Sequence, residues 1–348
     1  MTNHAFALEA PCTLVTLLSE EFEDRQLAKV LGSEHRVPAH LWDPALVGPL
    51  MDFLARPGKE FRARLVLLGW QLSGRNSAPP AELPLIIEAL HSGSLIVDDI
   101  EDESNQRRGA PALHCRYGLP RALNAGNFLY FWALDLLSRL GLPPITELAL
   151  HRAFSRTLLA CHQGQALDLS VDVTQLAQSE VRATVSSVTR LKTGKLCELA
   201  AQMGALAAGA SQSKAQAIAH FGCELGIGLQ MLDDLGGIIS ERRAHKGHED
   251  LRHRRPTWPW AWAADNLDAR AYAKIQKLGK AVADSGERDD REVEDIDEGH
   301  RAPGMGVVPQ PIPIKPEQHG HHDDHPDSQP ESPHQTGHRR TFREAQDA

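Results

Sequence analysis

The chain has 348 residues with 37 basic and 46 acidic side chains, a formal charge of -9. The imbalance is local: residues 285–348 hold 7 basic and 15 acidic groups, a net of -8, leaving 30 against 31 in the body. A near-neutral body without a basic face excludes nucleic acid as the natural partner, and no uncharged apolar run reaches the ~18 residues of a membrane span.

The first residues, Met1-Thr2-Asn3-His4-Ala5-Phe6, show neither a basic segment nor a long apolar core, so no signal peptide is expected. Cys12, Cys115, Cys161, Cys197 and Cys223 have no metal-type spacing. They read as reduced packing residues of a cytoplasmic protein. From residue 12 to 283 the pattern is of Ala- and Leu-rich helices broken at Gly and Pro. In chain order it predicts helices over 82–101, 120–140, 147–168, 179–210, 214–240 and 268–284. Several are apolar around most of their circumference, as in helices buried in a large bundle. Strand-like alternation is almost absent, and the fold class expected is all-α: one large helical domain over 1–284 around a central cavity.

Residues 285–348 collect Pro, His, Asp and Glu, as in Val308-Pro309-Gln310-Pro311 and His319-Gly320-His321-His322. Such a segment cannot bury enough apolar surface to offset its ordering and is expected to be a disordered tail. No second ligand cluster accompanies the histidines, so a solvated tail is preferred to a metal site.

Two acidic clusters stand inside apolar runs: Asp98-Asp99-Ile100-Glu101-Asp102 and Asp233-Asp234. A carboxylate in such surroundings costs several kcal/mol unless it is paired or binds metal. Asp98 and Asp102, four apart on a helix, share a face about 5–6 Å apart, a spacing that suits bridged divalent cations. Oxygen-ligated hard cations that also hold phosphates point to Mg2+ chemistry on diphosphates. Arg107 and Arg108 follow where the helix should break, and their two forks suit two anions. Gln230 lies one turn before Asp233; beyond it come Lys246, Asp250 and Arg255. Lys192-Thr193-Gly194 interrupts a long apolar helix, where a lysine needs an anion to meet. Lys59 and Arg62 open another apolar helix. Taken singly each is a surface charge; together they describe one cleft with carboxylates and metals on two walls.

The ordered motifs resemble the all-trans isoprenyl diphosphate synthases, or polyprenyl synthetases. They are Gly58-Lys59-x-x-Arg62, His91 with Asp98-Asp99-x-x-Asp102, Arg107-Arg108-Gly109-x-Pro111, Gly164-Gln165-x-x-Asp168, Lys192-Thr193-Gly194, Gln230-x-x-Asp233-Asp234, and Lys246 with Asp250. The resemblance covers about 15–283 and implies an isoprenoid synthase bundle, active as a homodimer. It implies Mg2+ (three ions, with Mn2+ as a substitute), two on Asp98 and Asp102 and one on Asp233, supported by Asp99 and Asp234. It also implies that Lys59, Arg62, His91 and Arg108 hold isopentenyl diphosphate. Arg107, Lys192, Gln230, Lys246 and Arg255 would hold the allylic diphosphate, with Thr193 lining that site. The catalytic set it implies is Asp98, Asp99, Asp102, Lys192 and Asp233.

Four departures stand out. Gly237 replaces the third Asp of the second motif. Glu60 and Phe61 occupy places where a basic residue is common, and His248 replaces a usual glycine. The chain also carries one candidate helix, 268–284, where the family has several, so one end of the bundle is expected to be less covered. Gly93 and Ser94, small residues before Asp98, should leave the pocket open beyond fifteen carbons. Phe128, Tyr130, Phe131 or Trp132 on the next helix would then stop growth, giving a twenty-carbon geranylgeranyl product ahead of farnesyl. The alternatives are a class I terpene cyclase, which needs no isopentenyl site, and a non-catalytic regulatory subunit.

Overall fold

The computed structural model describes residues 12–32 and 37–299; the His-rich and Pro-rich stretches of the expected tail lie outside the described residues. Helices α1 (Leu14–Glu21), α2 (Asp24–Leu31), α3 (Ala39–Trp42) and α4 (Gly48–Leu54) lead into α5 (Phe61–Leu72) and α6 (Leu83–Glu101). A two-stranded hairpin, β1 (Gln106–Arg107) with β2 (Ala110–Pro111), separates α6 from α7 (Leu113–Tyr117). Then follow α8 (Leu119–Arg139), α9 (Pro144–Ser170), α10 (Gln178–Thr189), α11 (Lys195–Ala207) and α12 (Gln212–Ile239). The series closes with α13 (Ala244–Arg252), α14 (Trp258–Asn266) and α15 (Ala269–Gly299). The all-α expectation holds. No described helix is long and apolar enough to cross a membrane.

Local chemistry explains where several helices begin. Proline stands in the first turn of α6, α8, α9 and α14, where its missing N–H has no intrahelical partner to lose. Thr13 and Thr16 form a capping box on α1, and the Ser211 hydroxyl accepts from the Lys214 N–H at the head of α12. The expected helix over 179–210 stays helical but widens into a π turn at Arg190–Gly194 between α10 and α11. That is the stretch where Lys192-Thr193-Gly194 breaks the apolar pattern.

Small residues let the central helices touch. A Cβ on Gly69 of α5 would strike the Ala201 carbonyl, and one on Gly204 of α11 would strike the Val66 carbonyl. Backbones in such contact fix α5, and with it Arg62, against the wall that carries Lys192. On the other side Trp258, Trp260 and Tyr272, all nearly fully buried, pack on Val173, Val181 and Val185. Each such ring removes about 150–250 Å² from water, roughly 4–6 kcal/mol of gross burial. The sequence reading missed α14 altogether. It also stopped the last helix at Asp284, whereas α15 runs to Gly299. No proline interrupts residues 285–299. Of the five unpaired cysteines, Cys197 and Cys223 are buried as expected, but Cys115 is exposed.

Candidate active site

The C-terminal turn of α6 carries the first acidic cluster. Asp98 and Asp102 line a cavity of about 820 Å³, together with Asp168, Asp234, Asp250, Lys192, Arg107 and Arg255. Asp99 faces the opposite way and is fully buried. Arg107 Nε donates to its Oδ1 at 2.6 Å, while Arg107 Nη2 lies 3.6 Å from Asp98 Oδ2. Burial pushes the Asp99 carboxyl above its ordinary range, against the pull of Arg107. The hairpin aims this guanidinium. Its two central residues, Arg108 and Gly109, both take positive φ, 53° and 76°, as a type I′ turn requires.

Lys192 sits in the π turn. Its Nζ donates to Asp168 Oδ2 at 2.5 Å and lies 3.5 Å from Asp98 Oδ1. Burial works against its charge, but Asp98 and Asp168 more than offset that and hold the ammonium above its ordinary value. A Cβ on Gly164 would lie 2.9 Å from the Lys192 nitrogen, so glycine there lets α9 press against the turn. One residue on, Gln165 Nε2 donates to Asp98 at 3.1 Å and to Glu101 at 2.7 Å. Arg255 is buried, pairs with Asp102 and donates to the Asp168 carbonyl at 2.5 Å. Asp102 is pushed up to about 6, by burial first and then by Asp98, with Arg255 and Lys192 opposing. Asp250 is pushed up to about 7 by burial and by Asp234, Asp168 and Glu249, with Lys246 opposing.

Arg62, His91 and Arg108 form a second cationic group on the same cavity. Arg62 Nη1 lies 3.0 Å from His91 Nε2. Burial, followed by Arg62, Arg108 and Arg107, holds His91 well below its ordinary value, so the ring is neutral and Nε2 accepts from the guanidinium. Arg108 stacks 5.4 Å over the Phe53 ring, and a Cβ on Gly58 would lie 3.3 Å from its Nη2. Lys59, expected in this group, is exposed and lies outside the cavity lining.

The second acidic cluster divides. Asp234 is buried and lines the cavity, accepting from Gln230 Nε2 at 2.7 Å and from the Trp258 N–H at 3.0 Å. Thr193 donates to Gln230 Oε1 at 2.9 Å, completing a chain from the π turn to Asp234. Burial raises the Asp234 carboxyl; the two hydrogen bonds and Lys246 oppose it. Asp233, expected as the principal ligand, lies outside the lining. It is half exposed and 2.7 Å from Arg243 Nη1. Consecutive residues on a helix point about 100° apart, and here Asp234 meets the buried side of α12 while Asp233 meets the open side.

Leu90, Leu95, Val97, Leu158, Leu196 and Tyr130 supply the apolar part of the wall. Gly93 does not contribute to it, contrary to the expected role: a Cβ there would lie 2.8 Å from the Gly126 carbonyl oxygen. Its smallness serves the crossing of α6 and α8, while Ser94 does line the cavity. Of the four aromatic candidates only Tyr130 reaches the lining, edge-on to His162 with centroids 6.0 Å apart. Phe131 is 71% exposed, Trp132 is buried, and Phe128 stacks on Trp132.

The carboxylates at the first cluster fit a divalent cation. Asp98 and Asp102 face a shared space, and burial, followed by the Asp98 charge, drives Asp102 toward protonation, a penalty that a dication relieves. Among the described residues no three His, Cys, Asp or Glu side chains are assembled to hold an ion alone. Mg2+ in such a site takes one or two carboxylates and completes its shell with phosphate oxygens and water. The second cluster does not fit in the same way. Asp98 and Asp102 both line the cavity, whereas of the second cluster only Asp234 does; Asp233 lies outside the lining beside Arg243, and Gly237 brings no carboxylate. Gln165 and Asp168 were visible only as a motif without assigned roles, and Arg243, Glu249 and Ser104, whose hydroxyl donates to Glu249 at 2.7 Å, gave no sequence signal.

A polyprenyl synthetase family model matches residues 43–296. The geranylgeranyl diphosphate synthase of Sulfolobus acidocaldarius is 33% identical over 189 residues, 53% of this chain and 56% of that protein. The geranylgeranyl diphosphate synthase of Methanosarcina mazei is 34% identical over 179 residues, 51% and 54% of the two chains. These matches thus span about half the length of each relative. Among solved structures, the geranylgeranyl pyrophosphate synthase from Corynebacterium glutamicum, complexed with isoprenyl diphosphate and magnesium, superposes with a TM-score of 0.58. It shares 22% identity, covering 82% of this chain and 89% of that one, a likeness of fold. With a family match over most of its length and the same helical architecture, this chain belongs to the polyprenyl synthetase family.

Proposed function

We propose that the chain condenses isopentenyl diphosphate head to tail with an allylic diphosphate, giving a trans prenyl diphosphate of twenty carbons. One observation carries the reading. A single cavity joins two cationic groups, a carboxylate pair and an apolar wall, which is what a reaction between two diphosphates with greasy tails requires.

In this reading Lys192, Arg107, Arg255 and Lys246 hold the allylic diphosphate, with Thr193 and Gln230 bracing that wall. Arg62, His91 and Arg108 hold isopentenyl diphosphate, and Lys59, exposed beside Gly58, would have to swing in to join them. Asp98 and Asp102 hold Mg2+, which when bound neutralises the diphosphate and makes it a leaving group. Asp99 fixes Arg107 from behind. As the carbon–oxygen bond breaks, its electron pair leaves with the diphosphate, and the isopentenyl double bond supplies the pair for the new carbon–carbon bond. The proton then lost passes to the departed diphosphate. Leu90, Leu95, Leu158 and Leu196 keep water from the electron-poor carbon, and Tyr130 closes the space for the growing tail. In such a low-dielectric site the fixed cations act far more strongly than they would in water.

The reading includes a cytoplasmic homodimer of the helical domain 1–284. Leu119, Leu123 and Phe131 support it, being exposed at 53%, 38% and 71% along one side of α8, where a second copy would cover them; light scattering of the purified chain tests this. The reaction is tested by supplying Mg2+, isopentenyl diphosphate and five-, ten- or fifteen-carbon primers, then chromatographing the dephosphorylated products. A cyclic hydrocarbon made without isopentenyl diphosphate would show a cyclase instead. No diphosphate release with any primer would show a non-catalytic subunit.

A further inference from the structure

We propose that Arg243 is a resident cation of the second acidic cluster, standing where the family resemblance implies a third divalent ion. The chain then binds two ions with diphosphate rather than three. This rests on the prenyl-transfer reading only in taking a diphosphate as the ligand.

The geometry of four residues supports it. Arg243 Nη1 lies 2.7 Å from Asp233 Oδ1. The side chain reaches that carboxylate by crossing Gly236: a Cβ there would lie 3.1 Å from Nη1 and 3.2 Å from Arg243 Cδ. The next residue, Gly237, stands where a third carboxylate was expected, and a Cβ on it would lie 3.2 Å from Gly247 Cα. Gly247 in turn meets the Gly237 carbonyl so closely that it has no room for a Cβ. The pair of glycines on α12 therefore does two things at once. It removes a carboxylate, and it lets α13 come close enough for Arg243, which precedes it, to reach Asp233. A cluster that has lost one acid has gained one guanidinium in hydrogen-bond range of another. Asp234 is the poorer ligand of the two, being buried with each oxygen already accepting a hydrogen bond, from Gln230 and from the Trp258 N–H.

The test counts metal ions directly. Mn2+ is titrated into the full chain with saturating inorganic pyrophosphate, and free Mn2+ is followed by electron paramagnetic resonance. Two bound ions are expected in the wild type, and three in both Arg243→Ala and Arg243→Gln, the second of which keeps the bulk of the side chain. Arg243→Ala combined with Asp233→Asn should return the count to two. Circular dichroism confirms that each variant is folded, since an exposed pair contributes little to stability. Three ions in the wild type, falling to two in Asp233→Asn, would overturn the proposal while leaving the prenyl-transfer reading intact. A count that stays at two in both Arg243 variants would also overturn it. Fewer than two in the wild type would overturn that reading as well.

Discussion

The ammonium of Lys192 bridges two helices, 2.5 Å from Asp168 on α9 and 3.5 Å from Asp98 on α6. The bridge exists because the chain widens into a π turn at Arg190–Gly194, a distortion frequent at functional sites. In the proposed reaction this ammonium turns from carboxylates to the leaving diphosphate. Replacement Lys192→Met should lower kcat by about a hundredfold to a thousandfold, the usual loss of one preorganised charge partner. Steady-state kinetics check this, and Lys192→Arg should recover part of the rate.

Tyr130 is the aromatic side chain of α8 that reaches the cavity wall. Tyr130→Ala should lengthen the main product beyond twenty carbons, read by chromatography with the fifteen-carbon primer. Phe131→Ala, at an exposed position on the same helix, should leave product length unchanged.

Asp250 titrates at about 7 in the folded chain, against about 3.9 for an unperturbed aspartate. Between those values the folded state holds more proton than the unfolded one, so stability falls as pH rises through the window. Asp250→Asn removes that slope. It should raise the melting temperature of the ligand-free protein by several degrees at pH 8 and change it little at pH 4. Thermal unfolding monitored at both values measures the difference.

Gly204 packs on the Val66 backbone with no room for a methyl group. Gly204→Ala should destabilise the fold by about 1–3 kcal/mol, the cost of overpacking a tight helix crossing. Because α5 also carries Arg62, the KM for isopentenyl diphosphate should rise before folding is lost. Denaturant titration and kinetics on the same preparation separate the two effects.

The long apolar helices were legible because burial on most sides leaves a continuous Ala and Leu pattern. α14 was not, since its Trp258-Pro259-Trp260 start reads as a break and its rings find their partners in helices distant in sequence or later in the chain, α10, α12 and α15. Likewise Gly93 looked like an open pocket floor. Its smallness answers instead to the backbone of α8, which lies more than thirty residues away in sequence.

Sequence alone determined the helical class and the set of charged residues that meet: carboxylates and cations cannot sit in apolar helices without partners, so their presence there announces a shared site. Which member of each pair faces that site was decided by tertiary structure. Asp234 turns inward to Gln230 and the Trp258 N–H, while Asp233 stays outside the cavity lining, paired with Arg243, which the α12–α13 contact at Gly237 and Gly247 brings within reach. Adjacent residues on a helix point about 100° apart, and only the packing of neighbouring helices chooses between them.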